Sequence, residues 1–309
     1  MHPSYSVIFF TTASGAGYGL LFLLGVFNAL GLLPESPWFG FASLSSALIL
    51  ITAGLLSSTF HLGHPERAWR ALSQWRTSWL SREGIASVVT YIPAGLFSVG
   101  WIYLEQTQGI WSFFGLFASL GAAITVYCTG MIYASLKAIP AWNHILVAPG
   151  YVLLGLATGA IVLNALLFLF DEFFMSALIV SFFALGASLL LKYRYWQSID
   201  NAPDISTLES ATGLGNGVKV FDPPHTSTNY LQTEMGFKIA RKHSEKLRTI
   251  TLAFLFALPL ALAVGILALP SLGPVLGVAS VFSAALGIVI ERWLFFAEAK
   301  HVVSLYYRG

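Results

Sequence analysis

The chain has 309 residues, of which 56% are hydrophobic, 15% aromatic and only 10% charged. So little polar side-chain surface cannot cover a soluble globule of this size, which excludes a water-soluble enzyme and implies a polytopic membrane protein. The net charge of +2 gives no support to a nucleic-acid partner, and the single Cys128 excludes a disulfide framework, a thiolate metal site or an iron–sulfur cluster held by this chain.

The N-terminal Met1-His-Pro-Ser-Tyr-Ser6 lacks the basic residues of a signal-peptide start, so the first apolar segment is expected to be retained. Segments long enough to span about 30 Å of hydrocarbon fall near 7–33, 39–60, 85–104, 110–135, 146–170, 173–193, 249–270 and 275–296. The predicted fold is therefore all-α, eight transmembrane helices in one integral membrane anchor domain over 1–309. Helix 1 carries Gly15, Gly17, Gly19 and Gly25, small residues that let helices approach closely in lipid. Pro34-Glu-Ser-Pro37 separates the first two helices.

Chemistry is concentrated after helix 2, in His61-Leu-Gly-His-Pro-Glu-Arg-Ala-Trp-Arg-Ala-Leu72 and on to Ser78-Trp-Leu-Ser-Arg-Glu-Gly84. Pro65 ends the second helix and, with Glu66 behind it, starts a new one. Segment 66–76 then sets Trp69, Leu72 and Trp75 on one side and Arg67, Arg70 and Gln74 on the other, which suits a helix lying in the membrane interface. Ser81 is the expected cap of helix 3, with Arg82 and Glu83 in its first turn, so that His61 and Glu83 face each other across the mouth of the helix 2–3 hairpin. Two readings of this stretch stand side by side. A basic, Trp-bearing loop is what the membrane interface selects anyway, and an interfacial His can simply bond a backbone carbonyl. The functional reading is a quinone site: a two-electron, two-proton couple needs a group that exchanges protons near neutral pH, a carboxylate to orient it, and apolar helices for the tail.

Between helices 6 and 7 lies the one long polar stretch, about 197–248, rich in Asp, Asn, Ser, Thr, Gly and Pro up to Thr228. Its length marks it as a linker or a binding loop. The run from Thr233 to Leu247 has helical spacing and reads as a surface helix. Helix 8 ends with Glu291 and Arg292, read either as a local ion pair at the interface or as part of the quinone pocket.

Placing the N-terminus inside puts all 16 Lys and Arg on the cytoplasmic side, Lys192 and Arg194 among them, and leaves Glu35, Glu105, Asp171 and Glu172 opposite with no basic residue. Both termini, the His61–Glu83 stretch and the 197–248 loop should then be cytoplasmic. No His lies in the middle of a predicted span, although His61, His144 and His301 share one face, so no haem is expected. A secondary transporter would place ionisable groups at midplane, and here only the amides Asn28 and Asn164 are candidates. An inert structural anchor has no use for the pairing of His61 with Glu83.

The run His61-Leu-Gly-His-Pro-Glu-Arg-Ala-Trp69 with Ser78-Trp-Leu-Ser-Arg-Glu83, the eight-helix pattern, and the closing Gly287-Ile-Val-Ile-Glu-Arg292 with Phe295 and Phe296 resemble the membrane anchor subunits of the dimethyl sulfoxide reductase family. The resemblance implies a bacterial inner-membrane subunit that passes electrons between quinone, ubiquinone or menaquinone, and an adjacent iron–sulfur subunit, with molybdopterin held by a catalytic subunit. It makes His61 and Glu83 the reacting pair and groups His64, Arg67, Trp69, Arg82, Glu291 and Arg292 around the quinone. The long 197–248 loop more closely resembles the anchors of sulfite-oxidising complexes and is taken as a docking surface; those complexes keep their catalytic subunits in the cytoplasm, so the placement of all 16 Lys and Arg on the side of His61 and Glu83 favours sulfite oxidation. Reduction of dimethyl sulfoxide or another S- or N-oxide with menaquinol is the alternative.

Overall fold

The computed structural model describes residues 5–60, 64–202, 207–222 and 243–307. Eight helices long and apolar enough to cross a membrane are present: α1 Tyr5–Ala29, α2 Pro37–Thr59, α3 Trp79–Tyr103, α4 Ile110–Ala134, α5 Val147–Leu169, α6 Met175–Asp200, α7 Ser244–Ala268 and α8 Gly273–Ala297. No strand occurs among the described residues. In lipid every backbone amide must be satisfied within its own segment, which is why apolar runs of this length become helices.

Local chemistry sets the ends. Ser36 accepts from the Phe39 amide and Pro37 follows at the first helical position of α2. The cap of α3 is Ser78, which accepts from the Ser81 amide at 3.4 Å, so the helix starts earlier than the expected Ser81 and Glu83 sits beyond its first turn. Wide π turns occur at Val99–Tyr103 in α3 and at Leu252–Ala257 in α7. The latter runs straight into Pro259, which has no amide to give the preceding turn. Gly31 closes α1 at φ +66°, a conformation that only glycine adopts without strain.

The bundle is built around α1 and α5, the two most buried spans. Their seam is glycine on glycine: a Cβ at Gly19 would lie 1.9 Å from the Gly155 carbonyl oxygen, and one at Gly159 would lie 2.3 Å from the Gly19 carbonyl carbon. Gly25 meets the Gly115 backbone of α4 and Gly17 meets Ala47 of α2 in the same way. The outward faces carry Trp38, Phe41, Phe117, Phe183 and Phe282, as a lipid-facing surface should.

The ends of α6 and α7 differ from expectation. α6 continues to Asp200, two turns past the predicted end, because Lys192 and Tyr195 are buried against the bundle and extend its core. α7 begins at Ser244, so the last residues of the expected surface helix are the first turn of a span; 223–242 lie outside the described residues. The stretch after α2 is a 3-10 helix, Pro65–Gln74, with Trp69 and Trp75 exposed on it. α2 and α3 do not form a packed hairpin either: α2 lies along α1, and α3 along α4. Helix order in the chain does not dictate pairing in lipid; matching small residues do.

Candidate functional site

Glu83 is buried within α3, and its carboxylate accepts a hydrogen bond from the Thr129 hydroxyl of α4. Thr129 Oγ1 also lies 3.0 Å from the Thr125 carbonyl, so one hydroxyl proton is shared between two acceptors. Among the described residues no cation pairs with Glu83. A buried carboxylate with one neutral donor has most of its acceptor capacity unspent, which is costly unless something else fills it.

Above Glu83 a polar ladder climbs α3 at helical spacing, Ser87 and then Tyr91, each one turn further into the membrane. Tyr91 Oη is 2.6 Å from Thr52 Oγ1 of α2. Ser87 donates to the Gly84 carbonyl at 2.9 Å and Thr125 to the Gly121 carbonyl at 2.8 Å. Beside these two hydroxyls lies that of Tyr18 of α1, fully buried and without a hydrogen bond of normal geometry. Tyr18, Ser87, Tyr91, Thr125 and Thr129 are absent from the sequence-based site. The signal was present as hydroxyl side chains every fourth residue in two apolar segments, but it acquires meaning only when α1, α3 and α4 are set together.

His61 lies outside the described residues. His64, Glu66 and Arg67 form a surface cluster, with His64 Nδ1 3.1 Å and Arg67 Nε 3.6 Å from Glu66 Oε1. Trp69 is exposed, with the Arg70 guanidinium 5.6 Å from its ring centre. The structure therefore does not bring His64, Arg67 or Trp69 to the Glu83 carboxylate. Arg82 turns back to the connection, donating to the carbonyls of Trp75 at 2.8 Å and Arg76 at 2.7 Å while its guanidinium stacks 4.3 Å from the Trp79 ring. It fastens the start of α3, and Leu72 packs against Gly84 from the same connection.

Glu291 and Arg292 form the expected local ion pair, but it is buried in the bundle and not at the interface. Glu291 is ion-paired to Lys192 of α6, and Arg292 Nε lies 3.4 Å from its other oxygen. Lys192, expected at the cytoplasmic end of its span, is 6% exposed at its side chain. Its ammonium lies 4.5 Å from the Tyr195 ring centre, and the Arg292 guanidinium 3.7 Å from that of Tyr151. Aromatic faces thus take the part of water around two cations that share one carboxylate. Between this group and Glu83 is a cavity of about 10 Å³, room for one water, lined by Thr11, Thr12, Thr129, Tyr151, Thr158 and Arg292. Thr129 is common to both sides: it bonds Glu83 and walls the cavity. Outside the spans, His144 bonds Ser198 at 2.9 Å, and burial pulls its pKa below the ordinary imidazole value.

The sequence pattern of the family described as DMSO reductase anchor subunit (DmsC) matches residues 1–297. The protein is 33% identical to a sulfite dehydrogenase subunit of Allochromatium vinosum over 333 aligned residues, covering 100% of this sequence and 99% of that one. It is also 24% identical to a chain of the anaerobic dimethyl sulfoxide reductase of Haemophilus influenzae over 168 residues, 54% of this sequence and 60% of that one. With eight spans and a family match along almost its whole length, the chain is a multi-pass protein of the bacterial inner membrane and belongs to the DMSO reductase anchor subunit family.

Proposed function

We propose that this chain is the quinone-reactive anchor of a molybdopterin and iron–sulfur oxidoreductase complex, and that it reduces membrane quinone with electrons from sulfite oxidation. The observation that carries the site is Glu83, a carboxylate buried in a span with one neutral donor and, among the described residues, no cation, at the foot of a polar ladder. The observation that favours sulfite is the full-length relative, a subunit of a sulfite dehydrogenase. The one-sided distribution of all 16 Lys and Arg agrees with it, since it turns Glu83 and the connection after α2 toward the cytoplasm.

Reduction of a quinone adds two electrons and two protons to the ring oxygens. Electrons are supplied by the docked iron–sulfur subunit. Glu83 and His61 are the groups proposed to exchange protons with the quinone ring oxygens. Thr129 orients the Glu83 carboxylate. The protein is one subunit of the enzyme and not catalytic alone. The polar 197–248 stretch and the outer face of the connection, with His64, Arg67 and Trp69, are proposed to meet the partner subunits. The partial relative, from a dimethyl sulfoxide reductase, supports the reverse direction as the second reading, with the same residues taking protons from menaquinol.

The test is substitution in the intact complex. Glu83→Ala and His61→Ala should each lower quinone reduction about a hundredfold, while sulfite oxidation with an artificial dye stays at the wild-type rate. Glu83→Gln, which still accepts from Thr129, should lose less. Unchanged quinone reduction in both alanine variants would overturn the site.

A further inference from the structure

Close contact between α2 and α3 is concentrated at the outer end, where Trp101 packs against Phe39 and Gly40. Further in, Tyr91 and Thr52 join them by the one hydrogen bond noted above. A turn further toward the inner leaflet, Leu56 on α2 and Val88 on α3 are 59% and 60% exposed. The two helices therefore frame a lateral cleft that opens to lipid. Along its α3 side run Glu83, Ser87 and Tyr91, with α1 and α4 behind them.

Within this seam one polar group is unaccounted for. Tyr18 is 2% exposed and its hydroxyl makes no hydrogen bond of normal geometry; it lies beside the hydroxyls of Ser87 and Thr125, whose own protons go to backbone carbonyls. A buried phenol without a partner costs about 1 to 3 kcal/mol, and few such groups persist without a reason. Lipid chains cannot satisfy it. A molecule that arrives from lipid and carries a carbonyl acceptor can.

We propose that Tyr18 is a quinone ligand: the head group enters from the membrane between α2 and α3, and the Tyr18 hydroxyl donates to one ring oxygen while Glu83 faces the other. This rests on the quinone reading above and adds to it the entry side and the second polar anchor. The Tyr91–Thr52 bond closes the cleft on the lipid side and has to part for the head group to pass. The ring would lie along the ladder, and the isoprenoid tail would leave over the exposed apolar residues at the mouth.

The experiment is equilibrium binding of decylubiquinone and of menaquinone-4 to the purified complex, followed by tryptophan quenching, for wild type, Tyr18→Phe, Glu83→Ala and Tyr103→Phe. Loss of one hydrogen bond should raise the Kd of Tyr18→Phe about tenfold, leaving dye-linked activity unchanged, with Tyr103→Phe equal to wild type. A Tyr18→Phe complex that binds within twofold of wild type, while Glu83→Ala binds weakly, would overturn Tyr18 and leave the quinone site standing. Wild-type complex that binds neither quinone would overturn both readings. Should Tyr18→Phe fail to assemble, photolabelling of the wild-type complex with an azidoquinone decides. Label on peptides of α1 and α3 around Tyr18 and Tyr91 supports the seam, and label confined to the 60–78 connection overturns it.

Discussion

Lys192, Glu291 and Arg292 show how a buried charge group differs from a surface one with the same letters. Two cations and one carboxylate share a site with almost no exposure. Removing the carboxylate would leave both cations desolvated without a counter-charge, a cost of about 3 to 5 kcal/mol. Glu291→Gln should therefore lower the melting temperature of the purified complex sharply and reduce its yield in the membrane. Glu66→Gln removes a carboxylate that also faces an imidazole and a guanidinium, but in water. Exposed pairs contribute about 0 to 1 kcal/mol, so that variant should melt with wild type. Equal melting of the two variants would mean that the buried group is solvated in the assembled complex. In the sequence Lys192 stands in the last turn of the expected 173–193 span, where apolar letters give way to charged ones, and reads as a residue of the cytoplasmic end. Its burial depends on Glu291 of another helix, about a hundred positions away, which no local pattern records.

Helices meet in this bundle by small residues. The glycines of α1 were expected to permit close packing, and Gly17, Gly19 and Gly25 do so against the backbones of three different helices. Since the neighbour at Gly19 is a carbonyl of α5 and not a side chain that could turn away, Gly19→Ala should separate α1 from α5 and prevent accumulation of the subunit, as membrane immunoblotting would show. Gly186→Ala on α6 meets nothing within 4 Å. It should accumulate normally, and the higher helix propensity of alanine should leave its stability unchanged or raised by up to about 1 kcal/mol. A Gly19→Ala protein that accumulates to wild-type level would show that the α1–α5 seam can open without loss. The capping of α3 teaches the same lesson on a smaller scale. Ser78 and Ser81 are both plausible caps by residue type, and the choice of Ser78 sinks Glu83 a turn deeper than expected.

For the whole molecule the decisive quantity is the placement of charge. With alternating spans, the starts of α1, α3, α5 and α7 share one end of the bundle with the finishes of α2, α4, α6 and α8, and that end carries Glu83, Lys192, Glu291 and Arg292. We propose that this end is cytoplasmic, because the reverse would translocate all 16 Lys and Arg. Fusion of alkaline phosphatase at Gly309 should be inactive and fusion of a fluorescent protein bright. Active phosphatase there would reverse the topology and, with it, the preference for a cytoplasmic sulfite-oxidising partner.

Fold class, span number, the approximate ends of the helices and the candidacy of Glu83 were legible in the sequence by itself. Each depends on a local property: a run of apolar residues that must close its own backbone hydrogen bonds in lipid, a proline or a serine at a boundary, a carboxylate where few charges occur. The sequence could not show that α3 lies along α4 and not α2, that Glu83 bonds Thr129, that Lys192 belongs to the core, or that Tyr18 reaches the same seam from α1. Those were decided by tertiary structure alone. Between helices in lipid the hydrophobic effect gives no preference for one neighbour over another, so pairing falls to backbone fit between distant small residues and to scattered hydroxyls and charges that find each other only once the bundle has formed.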